Sequence, residues 1–276
     1  MKKMISLLLA ALLLGMLFAG CGSPGAVPSS NDDVDSGALL PTEDKTPVDE
    51  QSNGSFRDNA LGTNISVADS YTAYLDAKNA LVGRMADGLS NNPDTAFSAL
   101  SLLGVTMADL ALMPVSLFGL GQVSMEAGLG FFGATGVKYT ESGNSYTVSY
   151  ADKDGIQYDF TGTYDAAADA LNCTAKMNGA ENIYFEYRKT SFGYVGQYYF
   201  INEDGTNNLY QLAVKGEDGT LGLSAVSGQP TQLSDGESAD FPKACPEWYS
   251  LDGNSITGVT SDGTQLNFAY TPTATE

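Results

Sequence analysis

Apolar positions follow two regimes along the chain: three-to-four spacing up to about residue 132, then alternation from residue 137 onward. In the first regime Val67, Tyr71, Tyr74, Leu75, Lys78, Leu81, Val82, Met85 and Leu89 recur at three-to-four spacing and predict an amphipathic helix over 67–88, opened by a capping-box variant of Ser66 and Asp69. Asn92-Pro93 reads as the cap and first turn of a short second helix with Phe97, Leu100 and Leu103 on one face and Gly104 as its stop. A third apolar stretch runs from Thr106 and Asp109 through Met107, Leu110, Met113, Leu117 and Leu120, with Pro114 as a kink and no charge from Leu110 to Met125. Asp109, Pro114, Gly119 and Gly121 break it below spanning length, which favours a buried core helix. A mobile apolar lid hinged on its glycines is the second reading, and a further membrane contact the third.

The second regime predicts about ten short strands, over 137–141, 145–151, 156–164, 171–177, 183–189, 194–201, 209–214, 221–226, 255–260 and 265–270. Turn signals separate them: Ser142-Gly143-Asn144, Asp154-Gly155, Asn178-Gly179, Asp204-Gly205, Asp218-Gly219 and Asp262-Gly263. Connections this short make an antiparallel meander. Tyr146, Val148 and Tyr150, then Tyr158, Phe160 and Tyr164, and later Leu266, Phe268 and Tyr270 define one apolar face, while Thr147, Asp159, Thr161 and Asn267 define a wet one. At Asn178-Gly179 a two-residue loop would set Cys173 opposite Tyr184 and turn Ile183 and Phe185 to the wet face. A three-residue loop, Met177-Asn178-Gly179, pairs Cys173 with Ile183 and Leu171 with Phe185, and is the register expected. Between 226 and 255 no period is visible, and the segment reads as a long loop holding Trp248 and Tyr249.

At the amino terminus Met1-Lys2-Lys3 precedes an apolar run from Met4 to Phe18, the layout of a signal peptide over 1–20. Its end, Leu17-Phe18-Ala19-Gly20-Cys21-Gly22-Ser23, resembles the lipobox of bacterial lipoproteins, with Phe18 where members of that family more often carry Leu. The resemblance implies a diacylglyceryl anchor on Cys21 and an extracytoplasmic, membrane-tethered protein. Residues 21–62, rich in Pro, Ser, Gly and acids, read as a flexible acidic tether with an end-to-end distance of roughly 35 Å. The expected domain then divides into a helical segment, 63–136, and a sheet segment, 137–276.

Composition narrows the chemistry. There is no histidine, so imidazole catalysis and histidine-ligated metals are excluded. A net charge of −20 repels polyanions, and no nucleic-acid partner is expected. Gly128-Leu129-Gly130-Phe131-Phe132-Gly133 fits G-x-G-x-x-G but is followed by a strand, so no dinucleotide or other cofactor is expected. The Asp-Gly loops lack calcium-loop spacing, and no metal site is expected. With Cys21 lipidated, Cys173 and Cys245 remain as either a disulfide, worth roughly 4 kcal/mol by loop entropy, or two buried thiols.

The expected fold is α+β: N-terminal helices packed on a curved antiparallel meander, resembling in outline the half-barrel lipoprotein carriers. The first functional reading is a non-enzymatic envelope lipoprotein holding an apolar or amphipathic ligand between helices and sheet, against Met113, Phe118, Phe131 and Phe132. The second is an interaction module docking envelope proteins or glycans, with Trp248 and Tyr249 as a stacking platform. The third is a carboxylate hydrolase in which Glu186, flanked on one face by Tyr184 and Arg188, is joined by Asp159.

Overall fold

The computed structural model describes residues 65–96, 98–202 and 205–272, which lie in a unit spanning residues 63–276. The signal peptide, Cys21, the tether and Phe97 fall outside the described residues.

Helix α1 (Val67–Ser90) starts at Ser66, whose hydroxyl oxygen accepts the Asp69 N–H at 3.1 Å. It buries the predicted face, from Val67 and Tyr71 to Met85 and Leu89. The second predicted helix is corrected: 92–96 is a turn closed by the Asp94 N–H on the Asn92 side chain. A 3-10 turn, Ser98–Leu102, then runs directly into α2 (Leu103–Ala111). Gly104 sits inside α2 and does not stop it, because a Cβ there would lie 2.0 Å from the Tyr210 hydroxyl; the glycine serves close packing. Pro114 breaks the third stretch outright, seeding a 3-10 turn (Met113–Leu117) before α3 (Gly121–Phe131).

Eleven strands follow in one antiparallel sheet whose order is the chain order: β1 (Thr135–Ser142), β2 (Ser145–Ala151), β3 (Gln157–Asp165), β4 (Ala170–Met177), β5 (Ala180–Lys189), β6 (Tyr194–Phe200), β7 (Asn207–Lys215), β8 (Asp218–Val226), β9 (Glu247–Asp252), β10 (Ser255–Val259) and β11 (Gln265–Ala269). Among the described residues β1 and β11 do not pair, so the sheet is open. The fold is sheet-rich and broadly α+β. The strand missing from the sequence reading is β9, where Trp248 and Tyr249 lie in a paired strand and not in a loop. Its alternation, Tyr249 and Leu251 inward, spans too few residues to stand out behind Pro246.

The β4–β5 hairpin overturns the expected register. Asn178 and Gly179, at φ 51° and 81°, form a two-residue turn with Met177 opposite Ala180. A bulge then shifts the pairing between Ala175 and Lys176, leaving Asn182 unpaired and setting Cys173 opposite Phe185 and Leu171 opposite Tyr187. One extra residue thus reconciles the tight turn with an inward Ile183, Phe185 and Tyr187.

These inward residues meet α1 in an aromatic cluster. Tyr74 stacks on Tyr187 at 4.5 Å and 8°, and its hydroxyl donates to Tyr198 at 3.0 Å. Gly196 leaves the room: a Cβ there would stand 2.2 Å from the Tyr74 hydroxyl. Along α1, Ser70 donates to Asp169 in the β3–β4 turn, Leu81 lies against Gly219, and Gly88 against Ile256 and Tyr270. Lys78, fully buried, pairs with Asp109 of α2. Burial lowers the Lys78 pKa and raises that of Asp109, each opposed by its partner's charge.

Cys173 and Cys245 are both buried free thiols, the second of the two alternatives the sequence leaves open. Cys173 faces the core beside Phe185, whereas Cys245 lies on the other side of the sheet, where its thiol contacts Gln211.

Candidate functional site

Two candidate surfaces stand out, one on each side of the sheet. On the helical side, α3 buries Met125 and Leu129 and turns Val123, Ala127 and Phe131 to solvent at i, i+4 and i+8. Val123 is 79% exposed and Phe131 85%, with Phe132 edge-on to Phe131 at 5.2 Å. Leu120 adds to this surface, and Glu126 is the sole charged residue between Leu110 and Val137. The helix is seated on β1 by Gln122, whose amide oxygen accepts from the Tyr139 N–H at 2.7 Å while its nitrogen donates to the Val137 carbonyl at 3.0 Å. One side chain there takes the place of a neighbouring strand on a sheet edge.

The predicted apolar site residues are therefore dispersed. Phe118 is fully buried, stacked on Tyr146 at 5.3 Å and lying over Gly162. Met113 is half-buried against the core, and Phe131 and Phe132 point outward. Tyr249 is wholly buried, whereas Trp248 is on the opposite face under the Lys243 ammonium, 5.3 Å from its ring centre. Trp248 and Tyr249 thus form no common stacking platform, because neighbours on a strand face opposite ways. What the sequence reading missed is the outward side of α3, whose signal was the four-residue spacing of Val123, Ala127 and Phe131.

On the outer face, residues 227–246 cross the sheet as a strap. Leu233 packs with Val195 and Ala213 in a small second core, flanked by Phe192 and Phe241. Beside it runs a polar row in register: Thr163, Asn172, Glu186, Gln197 and Gln211 on β3 to β7. Glu186 is only 4% exposed; its Oε1 accepts from the Leu233 N–H at 2.9 Å and from the Gln197 amide. Gln197 also donates to the Thr231 carbonyl at 2.8 Å and accepts from Gln211 at 3.2 Å. Burial pushes the Glu186 carboxyl above its ordinary 4.5, against the opposing hydrogen bonds of Leu233, Gln197 and Tyr184.

Of the predicted acid/base constellation, Tyr184, Glu186 and Arg188 share this face, and Arg188 is tied to Asp235 in the strap. Asp159 does not join them: it is exposed opposite Lys176, in another row, and the carboxylate beside Glu186 in the adjoining cleft is Asp165. Among the described residues no group of His, Cys, Asp and Glu could hold a metal ion, and no helix is long and apolar enough to cross a membrane.

No protein-family model matches the chain, and neither the curated proteins nor the solved structures searched contain a match.

Proposed function

We propose that this chain is a lipid-anchored extracytoplasmic lipoprotein that acts, without a catalytic step, as an interaction module, docking an envelope protein through the outward apolar side of α3. One observation carries the reading: every large apolar side chain exposed among the described residues lies between Ile65 and Phe132, and the eleven-stranded sheet exposes none. Of these, Leu120, Val123, Phe131 and Phe132 belong to α3 and its ends, and exposed apolar surface gathered on one element marks a contact site. On a molecule of net charge −20, a surface with Glu126 as its one carboxylate is where a partner meets least repulsion. The resemblance of residues 17–23 to a lipobox supports placement at the membrane.

We further take the sheet to curl around α1 in a half-barrel-like manner. The reach of that single helix from Asp169 to Ile256 and Tyr270 supports this. An apolar ligand held between helices and sheet would have to displace side chains that now fill that space: Leu112, Val115, Phe118 and Met125 are each fully buried. Packing therefore favours docking over carriage.

Photo-crosslinking in the producing cells tests the reading, with a photoreactive residue at Val123 or Phe131 and a control at exposed Asn267 on β11. The expected result is one discrete envelope-protein adduct from the α3 positions, lost in Val123→Ser/Phe131→Ser and missing from position 267. Absence of any adduct from α3 would overturn it. So would a retained mass of a few hundred daltons in native mass spectrometry that disappears in Phe118→Ala, the outcome expected of a carrier.

A further inference from the structure

We propose that the outer face of the sheet carries a second, independent site: a cleft between β3–β5 and the strap, shaped for one neutral saccharide unit. The cleft has a volume of about 270 Å³, floored by Thr163, Asn172 and Glu186 and bounded by Asp165, Arg188 and Leu233. That is at the lower end of ligand sites, which run from roughly 300 Å³ upward, and suits a single sugar ring.

The floor argues for a ligand. A strap that only shielded the sheet would seat apolar on apolar, as Leu233 does against Val195 and Ala213. Here it is instead laid over a carboxylate, whose desolvation is offset by the strap's Leu233 N–H and by the Gln197 amide of β6.

The chemistry of the walls selects the ligand class. The charged groups are already engaged: Arg188 with Asp235, Asp165 with the Ala167 and Ala168 N–H groups, and Glu186 Oε1 with Leu233 and Gln197. The side chains of Thr163, Asn172 and, at the rim, Asn144 have no hydrogen-bond partner among the described residues and face the cleft with both donors and acceptors. An anion would meet Asp165 and Glu186 while Arg188, the cation lining the cleft, is paired with Asp235, and an apolar ligand would strand the amides. A neutral ring of hydroxyls satisfies them.

Saturation-transfer NMR on the full chain, with glucose, galactose and N-acetylglucosamine as probes, tests the site. Transfer to at least one sugar is expected, with affinity weakened about tenfold in Asn172→Ala and in Thr163→Val, as for loss of one hydrogen bond to a polar ligand. Because neither side chain has a hydrogen-bond partner among the described residues, thermal midpoints should be unchanged. No transfer to any of the three sugars overturns the proposal, as does transfer undiminished in both variants, or competition by inorganic phosphate. The result is separable from docking by α3, since no residue is shared.

Discussion

Glu186 is held nearly out of water on a face where its neighbours along β5, Tyr184 and Arg188, remain partly exposed. Its raised pKa means that the folded protein binds a proton more readily than the unfolded chain between the ordinary 4.5 and the raised value. The group's contribution to stability is therefore complete below pH 4.5 and is lost as pH rises through the folded-state value. A tenfold change in proton affinity on folding corresponds to about 1.4 kcal/mol. Glu237 adds repulsion to the carboxylate, while Tyr184, Gln197 and the Leu233 N–H favour it. Glu186→Gln, which keeps an acceptor for Leu233 and Gln197, should remove this slope and leave the variant at least as stable as the parent at neutral pH. Thermal midpoints of the two proteins from pH 4 to 8 measure it. Asp109, raised in the same sense by burial, contributes equally to both, so the difference reports Glu186. A parallel pair of curves would place the slope elsewhere. From the sequence, Glu186 with Tyr184 and Arg188 was legible as a shared face, since alternation in β5 gives it. Its burial was not, because the strap that covers it comes from residues some fifty positions away with no period of their own.

Elements were legible where the local pattern and the tertiary demand agreed, as in α1 and the strands from β2 to β8. They were misread where one residue did an unexpected duty. Gly104 looked like a helix stop, but its reason is Tyr210, more than a hundred residues onward. The β4–β5 hairpin carries the sharper lesson. Asn178-Gly179 asks for a two-residue turn, Ile183 and Phe185 ask to face inward, and no regular hairpin grants both; the bulge at Asn182 does. Two single deletions, two positions apart, should then differ greatly. Removing Asn182 leaves every pair from Ile183 onward intact on both β4 and β6, at the cost of its carbonyl's bond to the Ile201 N–H, about 1 kcal/mol. Removing Tyr184 lets the bulge close but carries Ile183, only 4% exposed, to the outer face opposite Tyr199 and puts Asn182 in its buried place, a loss of roughly 3 kcal/mol or more. Denaturant midpoints of the two variants distinguish these outcomes, and similar losses in both would mean that the bulge is not what sets the register.

For the molecule as a whole, net charge was plain in the composition while its distribution was not. The surplus of carboxylates sets a self-repulsion that acts over distances of about 10 Å at moderate salt. Against it stand seven ion pairs among the described residues, of which only Lys78–Asp109 has a fully buried member. Exposed pairs contribute little, about 0–1 kcal/mol each, and salt weakens them as it weakens the repulsion. With −20 charges overall, relief of repulsion should win. The thermal midpoint should rise between low salt and about 0.15 M sodium chloride, where the screening length has fallen to roughly 8 Å, and then level off. A rise of about 2–4 °C would correspond to 1 kcal/mol for a domain of this size. Sodium chloride is the salt to use, since sulfate would strengthen apolar burial as well. A falling midpoint would mean that the surface pairs hold the fold together more than the excess charge strains it. The same titration bears on docking, because α3 presents almost no charge to a partner. Adducts formed through Val123 and Phe131 should persist or increase as salt rises, whereas contact steered by the acidic remainder of the surface would fade over the same range.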